Sequence, residues 1–167
     1  HGLDQLGIIF GTAAASDKIV GELYRRERFL ASKVETDTQK GESPQSYDKR
    51  VGTVRVFIQI SKEPLFTIGQ SAFLNHIITT AGGRSVTETV ETTFPKLSKE
   101  TASALNPDAI ILSDSPDNQE PNEVFKNSPA VKNGRVYKVN ADILSRPGPR
   151  LVDALEQIAK FLHPEKF

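Results

Sequence analysis

The sequence predicts an α/β fold, a mostly parallel sheet with helices on both faces, preceded by one long helix. Three observations carry that expectation. From residue 54 onward, short β-branched runs alternate with segments of helical period. One of those runs, Ala109-Ile110-Ile111-Leu112, is apolar without a break, as expected of a central parallel strand covered on both faces. Before them, residues 13–34 repeat apolar side chains at helical spacing. The chain has 167 residues, enough for one domain or one domain with an attached element. Folding at that size removes roughly 70% of the unfolded surface from water, so a core forms without staples.

Residues 4–10 read as a short helical piece with Leu6, Ile9 and Phe10 on one side, closed by Gly11. A second helix runs from about Ala13 to Val34, with Thr12 or Ser16 as its cap and Ile19, Val20, Leu23, Tyr24, Phe29 and Leu30 in helical register. At 1.5 Å per residue it is about 33 Å long. Its polar middle, Arg25-Arg26-Glu27-Arg28, reads as a solvated face. Residues 35–53 are polar throughout, broken by Gly41, Pro44 and Gly52, and read as an exposed connector. They divide the helical residues 1–34 from a compact unit, 54–167.

Within that unit, Val54, Val56, Ile58 and Ile60 alternate with Arg55 and Gln59, which predicts a strand. Ser71 to Ala81 reads as a helix with Phe73, Leu74, Ile77 and Ile78 inward, stopped by Gly82-Gly83. Ser98 caps a short helix that ends at Asn106-Pro107. A poorly patterned helix is expected between Gln119 and Asn127. The Asn133-Gly134 turn opens a strand over Arg135 to Val139. The last helix, Pro149 to Leu162, shows the clearest stripe: Leu151, Leu155, Ile158 and Leu162.

Composition narrows the chemistry. Lys+Arg and Asp+Glu are 21 each, so the chain lacks the basic field that a general nucleic-acid binder needs. No stretch approaches the ~20 apolar residues of a membrane-spanning helix. The absence of cysteine removes disulfides, thiolate metal sites and thiol nucleophiles, and is compatible with either redox compartment. There is no methionine and the first residues are His1-Gly2, so a processed product or a piece of a longer chain is expected.

In parallel sheets ligands sit beyond the carboxyl ends of the strands. That rule selects three loops: Ser61–Gly69, Ser113–Asp117 and Asn140–Gly148. None carries a GxGxxG or GxxxxGK[ST] phosphate loop, a GxSxG elbow or a histidine base. His1, His76 and His163 lie in unrelated elements without a second ligand at i, i+4, so no metal site is expected, and His76 reads as structural. The loops instead offer aromatic area, hydroxyls and a charge pair. Asp142 and Arg146 either brace their loop as an ion pair or present both charges to a bound molecule. Phe66, between Pro64 and Gly69, is either a core plug or a ligand platform, and Phe94 before Pro95 poses the same choice. This inventory suits binding a large, partly flat molecule better than catalysis.

Several strings together bring a family into view. Pro64-Leu65-Phe66-Thr67-Ile68-Gly69, Ser71-Ala72-Phe73-Leu74-Asn75 and Ala81-Gly82-Gly83 are followed by Phe94-Pro95-Lys96-Leu97-Ser98-Lys99-Glu100 and Leu105-Asn106-Pro107-Asp108-Ala109-Ile110-Ile111. Pro129 to Tyr137 and Ser145 to Arg150 complete the series. In this order they resemble the C-terminal lobe of the substrate-binding proteins that serve ABC importers of cobalamin and ferric siderophores. The resemblance covers Val54 to Pro164. It implies two α/β lobes joined by one long helix, here Thr12 to Val34, with the ligand held between the lobes and an N-terminal lobe preceding.

It further implies ligand contacts from Phe66, with the adjoining Thr67 and Gly69, and from Phe94, Asp142 and Arg146. Glu100 matches the glutamate that each lobe presents to an arginine pocket on the permease. An acid in the first turn after Ser98 would also be favoured by the helix dipole alone, by ~0.3–1 kcal/mol. The function so implied is capture of a metal chelate, first cobalamin, otherwise a ferric siderophore or haem. No catalytic cofactor is implied. The expected setting is the periplasm or a lipid-anchored extracytoplasmic position, with the permease as partner and the full-length protein a monomer. The alternative is a chelatase-like or cofactor-assembly enzyme domain, for which only Asp114, Asp117 and Asp142 could serve as base or metal ligand. An interaction module without a small ligand is the third reading.

Overall fold

Four short strands define the sheet: β1 (Val54–Gln59), β2 (Gly83–Ser85), β3 (Ala109–Asp114) and β4 (Val136–Asn140). They come from a computed structural model that describes residues 13–34, 53–145 and 148–167. The helical piece expected at 4–10, the connector at 35–52, and Arg146 lie outside the described residues. All strand pairs are parallel, in the order β2-β1-β3-β4. The helices are α1 (Ala13–Val34), α2 (Leu74–Thr80), α3 (Lys99–Leu105), α4 (Pro129–Lys132), α5 (Ala141–Ser145) and α6 (Leu151–Leu162). The α/β sheet with helices on both faces is thus observed.

Alternation along β1 and β3 sends apolar side chains to both faces. Val54, Val56, Ile58, Ala109 and Ile111 pack with Leu30 and Val34 of α1, Ile77 and Ile78 of α2, Leu144 of α5, and Leu155, Ile158 and Leu162 of α6. Phe57, Ile110 and Leu112 point the other way, onto Ala102 of α3, Phe125 and Ala130 of α4. The Phe57 and Phe125 rings meet at 4.6 Å. Each large side chain buried in this way contributes about 1.5–3 kcal/mol.

Both faces of β1 are covered, and even its polar Gln59 is fully buried. Other expectations need correction. The segment 119–127 forms only a 3-10 turn, Glu123–Phe125, because Pro121 lacks an N–H and the Asn122 side chain bonds the Val124 N–H instead. Gly82 does end α2, with φ 80°, but the next residue, Gly83, already opens β2. Helices α4 and α5 were not anticipated. Pro129 at the first turn after the Ser128 cap favours the former.

Helix α1 departs from its simple amphipathic reading as well. Ile19, Tyr24 and Phe29 are exposed, whereas Leu30 and Val34 are buried. The polar middle is only partly solvated. Arg26 donates to Asp153 (2.9 Å) and Glu156 (3.1 Å) of α6, and Glu27 lies 2.9 Å from the His76 ring of α2. His76 is exposed, and this contact between α1 and α2 is structural. The Lys160 ammonium and then the Arg26 guanidinium hold the Glu156 carboxyl below the usual carboxylate range, while Asp153 and Glu156 raise Arg26.

A carboxyl whose folded pKa is depressed stabilises the fold above its unfolded value and loses that contribution as pH falls through the folded value. These groups are about a third exposed or more, so the contribution is small, below about 1 kcal/mol. The urea midpoint of the parent should therefore exceed that of Arg26→Ala near neutral pH, and the gap should close below the ordinary glutamate range. A gap that stays constant into acid would show that Arg26 acts through packing alone.

Candidate functional site

The strand order places β1 and β3 side by side while their connections run to opposite sides, so the chain diverges at their carboxyl ends. A polar clip fixes that point. Asn118, 1% exposed, donates from Nδ2 to the carbonyls of Gln59 (3.0 Å) and Ser113 (2.9 Å), the ends of β1 and β3. The Gln59 amide nitrogen returns a bond to Asn118 Oδ1 (2.6 Å) and another to the Glu120 carbonyl (2.9 Å), and its oxygen accepts the Asn122 N–H (2.7 Å). Asn122 in turn donates to the Lys62 carbonyl (2.8 Å). Sequence reasoning missed this trio. A polar residue closing an apolar strand, followed by two asparagines around Pro121, was the available signal.

Beyond β1 the chain folds back on itself. The N–H of Ile60 donates to the Phe66 carbonyl (2.9 Å) and that of Phe66 to the Ser61 carbonyl (3.2 Å). The next residues are zipped to a second loop: Thr67 to Pro95 (3.1 Å), Gly69 to Thr93 (2.8 Å), and Leu97 to Leu65 (3.0 Å), each from N–H to carbonyl. Phe66 pairs with Lys96 across this seam. The structure thus brings the Phe66 and Phe94 segments together. Phe66 is half-buried and Phe94 is 51% exposed.

Thr67 and Gly69, read above as adjoining ligand contacts, lie buried within the seam. Thr67 is fully buried, and its hydroxyl donates to the Ile58 carbonyl at 2.7 Å. Gly69 is buried against the second loop, where a Cβ would overlap the Thr92 carbonyl oxygen. Both residues help to hold the seam closed. Asn75 of α2 reinforces it, donating to the carbonyls of Gly69 (2.6 Å) and Gln70 (3.1 Å).

Asp142 is exposed in α5, whose start is set by Asn140 accepting the Asp142 N–H (2.8 Å). It lies beyond β4, two strands from β1, hence about 10 Å across the same sheet edge. Its expected partner Arg146 is outside the described residues. Asp114 is engaged by the Gln119 amide. No group of three or more metal-ligating side chains occurs among the described residues, and no described helix is long and apolar enough to cross a membrane.

Glu100 lies in the first turn of α3, exposed, behind Ser98, which caps the helix by accepting the Thr101 N–H (3.1 Å). Its own backbone N–H and the Ser98 hydroxyl hold the Glu100 carboxyl below the usual range. At the other end of α3, the Arg55 guanidinium donates to the carbonyls of Leu105 (2.7 Å) and Asn106 (3.2 Å), which bolts the helix to β1.

Fold and site together define an α/β lobe that offers one prepared wall at its strand ends. The chain belongs to the periplasmic binding protein family, whose sequence profile matches residues 2–143. It is 26% identical over 168 residues to an uncharacterized ABC transporter substrate-binding lipoprotein of Bacillus subtilis, covering 99% of this chain and 50% of that protein. It is 34% identical over 115 residues to the vitamin B12-binding protein of Pectobacterium carotovorum, covering 68% of this chain and 41% of the relative. Among solved structures, a periplasmic heme-binding protein from Pseudomonas aeruginosa superposes with a TM-score of 0.77 at 20% identity, over 97% of this chain and 58% of that one, and so shares the fold. The chain spans about half the length of the curated relatives it matches.

The clip generates a stability test. Asn118→Ala removes one of the two acceptors of the Gln59 amide nitrogen and the side-chain donor to two strand-end carbonyls, each at a cost of ~1–3 kcal/mol if left unsatisfied in a dry environment. Urea unfolding of Asn118→Ala should show a loss of at least about 2 kcal/mol on that scale. A loss within about 0.5 kcal/mol, the range for ordinary surface changes, would show that the clip is replaceable by water.

Proposed function

We propose that the chain is the C-terminal lobe of the substrate-binding component of an ABC importer for a metal chelate, cobalamin before ferric siderophore or haem. The observation that carries the reading is the pair of aromatic residues, Phe66 and Phe94, fixed on two zipped loops at the sheet edge where α/β sheets take ligands. An exposed phenyl ring on a braced loop gives a flat ligand apolar area with little ordering cost on binding. The naming of relatives for vitamin B12 and for substrate-binding lipoproteins supports the same reading. Asp142, exposed beyond β4, supplies a polar contact at the far side of the wall; Arg146 is its companion by the resemblance, and α1 runs on toward the second lobe.

In this reading the protein works by binding and handover and not by catalysis, on the outer side of the cytoplasmic membrane, as a periplasmic or lipid-anchored monomer. Glu100 is the docking charge for the permease. It is exposed, ionised over a wide pH range and mounted on a helix bolted at both ends.

Titration calorimetry with cyanocobalamin, haemin and a ferric hydroxamate tests the ligand. Cyanocobalamin should bind best, and Phe66→Ala and Phe94→Ala should each weaken it up to about tenfold, the scale of one aromatic contact. No binding of any of the three by the protein carrying both lobes would overturn the reading. Glu100→Arg should melt within a few degrees of the parent and bind ligand normally, yet fail to stimulate its transporter in reconstituted vesicles. Full transport by that variant would remove Glu100 from the interface.

A further inference from the structure

We infer that the C-terminal turn, through Lys166 and Phe167, is a latch that sets the direction of α1 relative to the lobe. The base of the latch is anchored on the lobe. His163 is buried beyond the end of α6, its Nε2 lies 3.2 Å from the Gly82 carbonyl, and its Nδ1 lies 3.5 Å from Glu165. Only glycine fits at the contact, because position 82 has φ 80° and a Cβ there would stand 2.6 Å from His163 Nε2. From this anchor the turn Pro164–Lys166 reaches across to the last turn of α1.

The grip on α1 is made by two side chains. The Lys166 ammonium donates to the Val34 carbonyl at 3.1 Å, one of the helix-terminal carbonyls that has no partner within the helix. The Lys33 ammonium lies 5.0 Å from the Phe29 ring centre and 4.8 Å from that of Phe167. Phe29 and Phe167 are 59% and 41% exposed. Rings so exposed add little to the core, and their shared contact is with the cation between them.

Direction follows from having two separated fixings. Arg26 pairs with Asp153 and Glu156 eight residues before Val34, about 12 Å along the helix. A helix pinned at one point pivots; pinned at two, it holds a line. Leu30 and Val34 pack beneath, but two apolar side chains next to one another permit rocking about their contact. Lys166 and Phe167 are therefore positioning residues. For ligand binding this matters only if α1 joins two lobes, as proposed above. The geometry of the latch does not depend on that reading.

The chain has no cysteine, so two can be introduced for spin labels at the exposed positions Lys18 and Lys132, on α1 and α4. Pulsed dipolar spectroscopy on Lys18→Cys/Lys132→Cys should give one narrow distance distribution. Adding Lys166→Ala and Phe167→Ala should broaden and shift it, while circular dichroism and the melting temperature of the lobe stay close to the parent. Lys166→Arg with Phe167→Tyr should restore the narrow peak. An unchanged narrow peak in the double alanine variant would overturn the latch. So would broadening that accompanies loss of the folded lobe and is not rescued by the conservative pair. In a protein carrying both lobes, cobalamin titration of the same variants reads the consequence separately: a broadened helix with unaltered affinity would overturn the two-lobe reading of α1 and leave the latch standing.

Discussion

Everything at the candidate site hangs from one buried contact, the mutual amide bonding of Gln59 and Asn118. Parallel strands leave their carboxyl ends with carbonyls that no further strand partner satisfies, and in a covered sheet those carbonyls are expensive to leave dry. Asn118 satisfies two of them and joins β1 to β3 in doing so. Gln59 answers by holding Asn118, Glu120 and Asn122 in place. The loop after β3 is thereby fastened to the loop after β1, through the Asn122 bond to the Lys62 carbonyl. The seam carrying Phe66 and Phe94 starts from that fixed edge, so the aromatic wall inherits its position from a hydrogen-bond clip at the divergence of the chain.

Much of the fold was legible because it rests on periodicity. The unbroken run Ala109–Leu112 announced a strand covered on both sides, and the stripe Leu151, Leu155, Ile158 and Leu162 announced α6; all are buried except Leu151, which is partly so. What was not legible depends on contacts between distant residues. Gln59 is a polar member of an alternating strand; only Asn118, 59 residues later, makes its burial tolerable. Thr67 and Gly69 sit inside a ligand-associated string, yet their side-chain requirements are set by Ile58 and Thr92. Residue type alone does not separate a hydroxyl that meets a ligand from one that closes a seam. The resemblance carried the string as a whole, and the geometry adds which of its side chains are buried.

Helix α1 shows the same division from the other side. Its apolar count suggests a well-buried helix, but Tyr24 and Phe29 are exposed, and most of its attachment is polar: Arg26 to α6, Glu27 to His76, and the Val34 carbonyl to Lys166. Exposed charge pairs add little stability each. They do fix orientation, which burial of Leu30 and Val34 alone does not. The helix thus enters the core only through its last turns, at Leu30 and Val34, and polar contacts at separated points attach the rest. Glu100 follows a similar pattern on α3, where Ser98 and Arg55 hold the two ends and leave the carboxylate exposed.

In the proposed reading the wall at the strand ends, and no other surface of this chain, receives the ligand. Backbone amide chemical shifts recorded while cyanocobalamin is titrated into the protein locate that contact. Shifts should concentrate at residues 60–70, 90–97 and 140–145, with Phe66 and Phe94 among the largest and the amino ends of the strands unmoved. Shifts confined to the opposite edge of the sheet, around the α4–β4 turn and the end of α6, would contradict it.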